Sequence, residues 1–517
     1  MAKIDKKKIQ VLINRRHPNY AIAKTHWDFL ESTYIGGREW FTDNIFQYLK
    51  EGNSEYGQRV SRAYRFNHTR ETVDLVNKYI FKAEVNRNDI DAPQEIKDFW
   101  KNSTLGGLDI NQFMQVISKN TSILGTYWVF TDTNKDESIL TKEDEKKAMV
   151  RPYAYLVKPQ NIMDASFDEN GNVNWVLVKE TYRDDEDPFD SSGLVMPRYR
   201  LWTSSEWFLF EEGLDTRKQR TVSLVEQGVN ALGKVPGFPA HHIIGDEKFV
   251  SPGLINDIAY LDRAAANYMS NLDAIIQDQT FSQLVIPTQS LPSTASGKDE
   301  DITEKMVEMG TKRIFTYDAE GGKGPEYISP DPSQAQIIIE VVNKIISEIY
   351  HSIGMAGERT KQDNAVGIDN SSGVAKAYDF ERVNSLLVAK AASLENVENK
   401  LVNLILSWHS KEEPKEELIR YPKSFDVRSL YDEFSIAERL GLIDAPKELR
   451  REQMKQVIDK LFPRISAQLK IKLENELKTW LDLEEVNLSG QPAATFNVSK
   501  KNPQTNNRQG QVTATTK

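Results

Sequence analysis

Residues 251–287 read SPGLINDIAYLDRAAANYMSNLDAIIQDQTFSQLVIP. Within them Leu254, Ile258, Leu261, Ala265, Tyr268, Leu272 and Ile275 recur at alternating steps of four and three. That rhythm puts one apolar seam on a single long helix, as in a coiled coil. A helix over 254–278 would reach roughly 37 Å at 1.5 Å per residue. It ends in FSQLVIP (281–287), a short β-branched run that predicts a strand. A loop, LPSTASGKDED (291–301), a second strand, TKRIFTYD (311–318), and a loop-rich stretch, GGKGPEYISPDPS (321–333), follow. A second long helix then runs from Ser333 to about Ile353. Its apolar positions Ile337, Ile338, Val341, Val342, Ile345, Ile346 and Ile349 cover a face too wide for one neighbour to bury.

After that helix comes a polar segment, GERTKQDNAVGIDNSS (357–372), rich in Gly, Asn, Ser and Asp. A loop of this length between long helices is functional or disordered as a rule. It opens into a third helix over about 373–410. There Phe380, Val383, Leu387, Leu394, Val397, Leu401, Leu404 and Trp408 keep a heptad rhythm that only Lys390 interrupts. Such a helix would span roughly 55 Å.

The N-terminal half has a different grammar. AIAKTHWDFLESTYI and RETVDLVNKYIFKAEV predict helices, and DINQFMQVISKNTS (109–122) another, with Asp109 as its N-cap. GTYWVFTD (125–132), RPYAYLVKP (151–159), NVNWVLVKETYR (172–183) and RYRLWTSSEWFLFE (198–211) are rich in β-branched and aromatic residues and predict strands. DENG (168–171) signals a hairpin turn. The expected fold class is α+β. Beyond residue 430 the pattern is helical again, with a break at Gly441 and Pro446, and the polar tail 490–517 is expected to be disordered.

Composition narrows the function classes. The chain has 517 residues, of which 39% are hydrophobic and 27% charged, and a formal net charge of -10. That balance argues against affinity resting on a generally basic surface for nucleic acid, but allows a protein that encloses DNA without gripping it. The absence of cysteine removes disulfides and thiolate metal sites. The basic N-terminus lacks a signal-peptide apolar core, and no run approaches the ~18 apolar residues of a membrane span. The lysines at 3, 6, 7 and 8 are read as a solvated tail.

Candidate chemistry is sparse. None of the seven histidines, His17, His26, His68, His241, His242, His351 and His409, stands in a metal-ligand spacing, and His241–His242 after a Gly/Pro turn are read as structural. No phosphate-binding glycine loop and no nucleophile elbow are present. DTNKDESILTKE (132–143) imitates a calcium loop through Asp132, Asn134, Asp136 and Glu143. Glu137, however, occupies the position that needs glycine, and the preceding segment predicts a strand where an EF-hand has a helix. The loop is read as solvated. No catalytic residue, metal ligand or cofactor is assigned, and the chain is read as a non-enzyme.

The order of these segments resembles the portal proteins of tailed bacteriophages. The likeness rests on YRFNHTRETVDLVNKYIF (64–81), ILGTYWVF (123–130), VKPQNIMDASFDENGNVNWVLVKE (157–180), LGKVPGFPAHHI (232–243), the opening stretch 251–287, SSGVAKAYDFERVNSLLVAKAASLENVENKLV (371–402) and IAERLGLIDAPKELRREQM (436–454). It leaves residues 1–29 and the tail after 488 uncovered.

The resemblance implies a homo-oligomeric ring of about twelve subunits at one capsid vertex. The ring would be a channel for DNA packaging and ejection, a docking platform for the terminase large subunit and later for the head–tail adaptor, and a neighbour of the major capsid protein and scaffold. It would reside in the virion after assembly in the host cytoplasm, without a membrane. It divides the chain into an α+β wing (1–250), a stem helix (251–280), a small α/β clip (281–331), a second stem helix (332–354), a tunnel loop (355–372), a long kinked wing helix (373–412), a helical crown (413–489) and a disordered tail (490–517). Double-stranded DNA would pass the tunnel-loop residues Arg359, Lys361, Asn364 and Asn370. Subunits would meet along the stem at Leu254, Ile258, Leu261, Tyr268, Leu272, Ile338, Val342, Ile345 and Ile349. The competing readings are another virion structural protein, such as a head–tail adaptor or minor capsid protein, and a metal-dependent nucleic-acid enzyme using the 132–143 loop.

Overall fold

In the computed structural model the described residues are 6–49, 51–134, 150–185, 187–214, 220–280, 283–287, 314–317, 326–328, 333–354, 373–425 and scattered positions between 451 and 479. The chain divides into two compact units, Met1–Asp426 and Val427–Lys517. In the second unit, described residues at 451–452 and 472–477 are helical, and Lys455 pairs with Glu452 one turn away.

The first unit opens with seven helices: α1 (Lys6–Ile13), α2 (Tyr20–Ile35), α3 (Arg38–Asn44), α4 (Asn53–Arg62), α5 (His68–Ile80), α6 (Gln94–Lys101) and α7 (Ile110–Leu124). The short β1 (Asn86–Arg87) lies between α5 and α6. Asp109 caps α7 as expected, its carboxylate accepting the Gln112 N–H at 2.8 Å while the Gln112 side chain returns to the Asp109 N–H. Lys6, Lys7 and Lys8 do not belong to a tail. They begin α1, whose Ile9 and Ile13 are buried in the main core while the lysines stay exposed; Lys3 lies outside the described residues. Two apolar residues four positions apart were enough to fold the segment down.

Strands follow: β2 (Thr126–Thr133), β3 (Pro152–Val157), β4 (Ile162–Phe167), β5 (Val173–Arg183), β6 (Val195–Thr203), β7 (Glu206–Leu214), β8 (Arg220–Val229) and β9 (Gly237–His241). They form an antiparallel three-stranded sheet in the order β3-β2-β9 and a five-stranded meander in the order β4-β5-β6-β7-β8. The predicted strand over 198–211 is in fact two. Ser204 and Ser205 turn the chain so that Trp202 pairs with Trp207, and the alternating pattern continues through the turn because both strands present the same face. The DENG turn joins β4 to β5, with Asp168 accepting from Asn172 and Gly171 at positive φ.

Strand β2 is buried on both faces through Thr131, which explains its nearly unbroken apolar run. Its entry from α7 passes through Gly125 at φ 77, where a Cβ would stand 1.8 Å from the Ser251 carbonyl oxygen. Only glycine satisfies both the turn and the crossing chain.

Next come α8 (Ile258–Thr280), β10 (Gln283–Pro287), β11 (Ile314–Tyr317), β12 (Glu326–Ile328), α9 (Ser333–Ser352), α10 (Gly373–Trp408) and β13 (Ile419–Arg420). Helix α8 starts at Ile258, so Leu254 sits in the preceding turn. Strand β12 lies within the segment expected to be loop. It extends a three-stranded sheet, β11-β10-β12, that is parallel on one side and antiparallel on the other. The long α10 packs on α5, α6, α7 and the β3-β2-β9 sheet, and β13 pairs with β1. The unit is mixed α and β, in agreement with the sequence.

Candidate functional site

The module of α8, the small sheet and α9 is the part of the fold that the sequence singled out. Helices α8 and α9 pack against each other along their length. At 100° per residue α8 has three faces. Ile258, Ala265 and Leu272 are buried toward the core and α9. A second face, Asp262, Ala266, Ser270 and Asp273, meets α4 and α5. The third carries Tyr260, Arg263, Asn267, Tyr268 and Asn271 and is open.

The second face is a clamp. The Asp262 Oδ2 accepts from Arg65 Nη1 at 3.1 Å, Thr69 Oγ1 at 2.7 Å and the Thr69 N–H at 3.2 Å, all three groups being buried. Arg65 also stacks over Trp40, 3.8 Å from the ring centroid, and burial pulls its pKa down. About two turns further along α8, Arg59 binds Glu51 through Nε and Nη2, both at 2.7 Å, and also donates to the Phe46 carbonyl at 2.7 Å and to Ser270 at 3.0 Å. Those hydrogen bonds hold the Glu51 carboxyl below its usual range. Arg62 reaches Asp273 at 3.4 Å. The two-point Arg59–Glu51 pair fixes the direction of the Arg59 guanidinium, and single contacts from Arg65, Arg59 and Arg62 then tie α8 to α4 and to the chain before α5.

Helix α9 is anchored at its other end. The Tyr350 hydroxyl donates to Glu71 at 2.8 Å and lies 3.1 Å from His68 Nδ1, while Ile349 and Ile353 enter the main core. Gly354, at φ 76, ends the helix just before residues 355–372.

The predicted stem residues divide by position. Ile258, Leu272, Val342 and Ile349 are buried within the chain itself. Leu254, Leu261 and Ile345 are half-buried against the same core. Ile338 is half-buried and Tyr268 exposed. The helix pair additionally leaves Ile276, Ile337 and Ile339 exposed. Arg359, Lys361, Asn364 and Asn370 lie outside the described residues, as do Asp136 and Glu143 of the calcium-like loop and the tail 490–517. Asp132 of that loop is in β2, and burial raises its pKa. The Asn134 side-chain oxygen accepts the Arg151 N–H at 2.8 Å. Among the described residues no three His, Asp or Glu side chains converge as a metal site, and no helix is long and apolar enough to cross a membrane.

His241 and His242 tie β9 to its surroundings. His241 Nδ1 is 3.0 Å from Thr126 Oγ1, and burial lowers its pKa to about 4. His242 is more deeply buried and is lowered well below its usual value. Near them stands Lys390, the interruption in the α10 heptad. It is fully buried, and its Nζ donates to Thr121 Oγ1 at 2.5 Å. Sequence reading passed over this group and over the α8 clamp. Lys390, Asp262 and Arg59 each carry a charge in or beside an apolar stripe, and that mismatch is the only mark they leave in the sequence.

No protein-family model and no curated protein matches the chain. Among solved structures, the chain resembles one from the neck of an empty gene transfer agent (GTA) particle computed with C6 symmetry, with a TM-score of 0.39 and 10% identity over 81% of this chain and 98% of that one. It resembles similarly a chain from the virion of a native GTA particle, with a TM-score of 0.39 and 9% identity over 82% of this chain and 98% of that one. Likenesses of this size carry no argument about function.

Proposed function

We propose that this protein is a portal protein of a phage-like particle: a ring-forming virion component whose axial channel passes double-stranded DNA. The observation that carries the reading is the module α8–small sheet–α9, rooted by a charged clamp on an α+β body and followed by the 36-residue α10. That succession matches the order of segments on which the sequence resemblance rests. In this reading α8 and α9 are the stem, the β11-β10-β12 sheet belongs to the clip, and residues 355–372 form the tunnel loop. Arg359 and Lys361 meet phosphate in passing. Glu358, Asp363 and Asp369 keep the attraction weak enough for DNA to slide. Terminase and the head–tail adaptor dock at the clip, and nucleotide hydrolysis resides in terminase. Neighbouring subunits meet at what the stem leaves exposed, including Tyr268, Ile276, Ile337 and Ile339.

The test is electron microscopy of the purified protein. Rings with an axial hole are expected; a monodisperse compact monomer at micromolar concentration contradicts the reading.

A further inference from the structure

Two features remain unexplained by the fold. The first is the open face of α8. Tyr260 and Tyr268 join Phe46 and Tyr48, from the chain between α3 and α4, to line a groove of about 420 Å3. All four aromatics are exposed. Arg263 stands among them, its guanidinium carbon 5.1 Å from the Tyr260 ring, 5.3 Å from Phe46 and 4.6 Å from Phe29. Among the described residues no carboxylate pairs with it. Every other arginine of the neighbouring clamp, Arg59, Arg62 and Arg65, has one.

The second feature is the tip between β5 and β6, RDDEDPFDSSGL (183–194). Phe189 at its apex is 95% exposed, yet the tip is held in shape by its own hydrogen bonds. Asp187 Oδ1 accepts the N–H groups of Phe189 at 2.8 Å and Asp190 at 3.3 Å. Asp184 Oδ2 accepts the N–H and hydroxyl of Ser192 at 2.9 and 2.7 Å. Asp187 and Asp190 have no cation within ion-pair distance among the described residues. An exposed phenyl ring on a pre-shaped acidic loop has a cost in water, and nothing among the described residues offsets it.

We infer that the acidic Phe189 tip of one copy docks in the Arg263 groove of a second copy. The groove offers aromatic rings to the phenyl group and an unpaired guanidinium to the flanking carboxylates, so shape and charge both match. Tip and groove are each exposed in the same chain and therefore do not satisfy one another within it. Knob and socket are different patches, which makes the contact head-to-tail; repeated with rotation, such a contact closes a ring. The inference rests on the ring reading above and names the contact that sets the orientation of neighbours.

The absence of cysteine makes the test direct. Asp190→Cys in one chain and Asn271→Cys in another, mixed under mild oxidation, are expected to yield a covalent dimer of the two different chains. Neither alone should cross-link. Phe189→Ala, at a position too exposed to affect folding, should raise the concentration for half-assembly by about thirtyfold, the order expected for a central aromatic anchor. Asp190→Arg and Arg263→Glu should each weaken assembly, and together restore part of it, at unchanged circular dichroism. If rings form but the mixed dimer does not, and Phe189→Ala assembles like the parent, the docking inference is overturned and the ring reading stands. A disulfide between two copies of the Asn271→Cys chain also overturns it. A parent protein that stays monomeric overturns both.

Discussion

Replacing Lys390 by Met should flatten the alkaline side of the stability profile. The Lys390 side chain is fully enclosed, and among the described residues its single partner is the neutral Thr121 hydroxyl. Burial alone disfavours its charged form, and the nearby His242, itself buried, is lowered well below its usual pKa in turn. Burial therefore pulls the amine well below its usual pKa and favours its neutral form in the folded chain. The unfolded chain binds a proton at this lysine below about pH 10.4. The unfolded state then holds more protons than the folded one, so stability rises with pH. It is fully present above the unfolded pKa and is lost as pH falls toward the folded pKa, at about 1.4 kcal/mol per unit. The loss through this one group continues as pH falls until the folded amine itself begins to take up its proton. Methionine has nearly the same length, needs no proton and strands no partner, because Thr121 Oγ1 keeps its bond to the Ile117 carbonyl. Urea unfolding followed by tryptophan fluorescence at pH 7.5, 8.5 and 9.5 isolates the effect, since all other titrating groups are common to both chains. Lys390→Met should be the more stable protein at pH 7.5, with the gap narrowing toward pH 9.5. Equal slopes for the two proteins would refute a neutral buried amine.

Gly125→Ala combines a positive φ with a Cβ placed 1.8 Å from the Ser251 oxygen, and should destabilise by more than about 3 kcal/mol or prevent soluble expression; a thermal midpoint within a few degrees of the parent would contradict the crossing described. Asp262→Ala leaves the buried Arg65 without its carboxylate and should cost roughly 3–5 kcal/mol, measured by chemical denaturation. Removing Glu398, which is fully buried against Arg87 at 2.6 Å and the Tyr421 hydroxyl at 2.8 Å, should cost a similar amount and release β13 from α10, seen as faster amide exchange at Ile419. Arg359→Ala with Lys361→Ala, assayed for DNA packaging and retention during infection, should reduce one or both; unchanged values would remove these cations from the channel mechanism.

The parts that were legible without coordinates are those where one local signal decides. Asp109 and Gln112 form a capping box from four consecutive residues. The spacing of Leu254 to Ile275 and the breadth of the Ile337–Ile349 face announced two long helices, and the β-branched runs at 125–132 and 172–183 announced strands. What failed were signals that two structures share. An alternating pattern over 198–211 suits one strand or two that turn at Ser204–Ser205. The lysines at 3, 6, 7 and 8 look like a tail until Ile9 and Ile13, just after them, find a core.

The sequence by itself determined the long helices α8, α9 and α10, the heptad seams of α8 and α10 and the broad apolar face of α9, because periodicity is a property of the chain alone. It could not say which neighbour covers a stripe. Ile258, Leu272, Val342 and Ile349 are apolar whether they face another subunit or their own chain, and tertiary packing put them inside. The same holds for charge: Lys390 reads as an interruption in an apolar stripe, and only the fold supplied Asp262 with a buried guanidinium and left Lys390 with a hydroxyl. A buried charge is defined by its partners, and those partners lie far away along the chain.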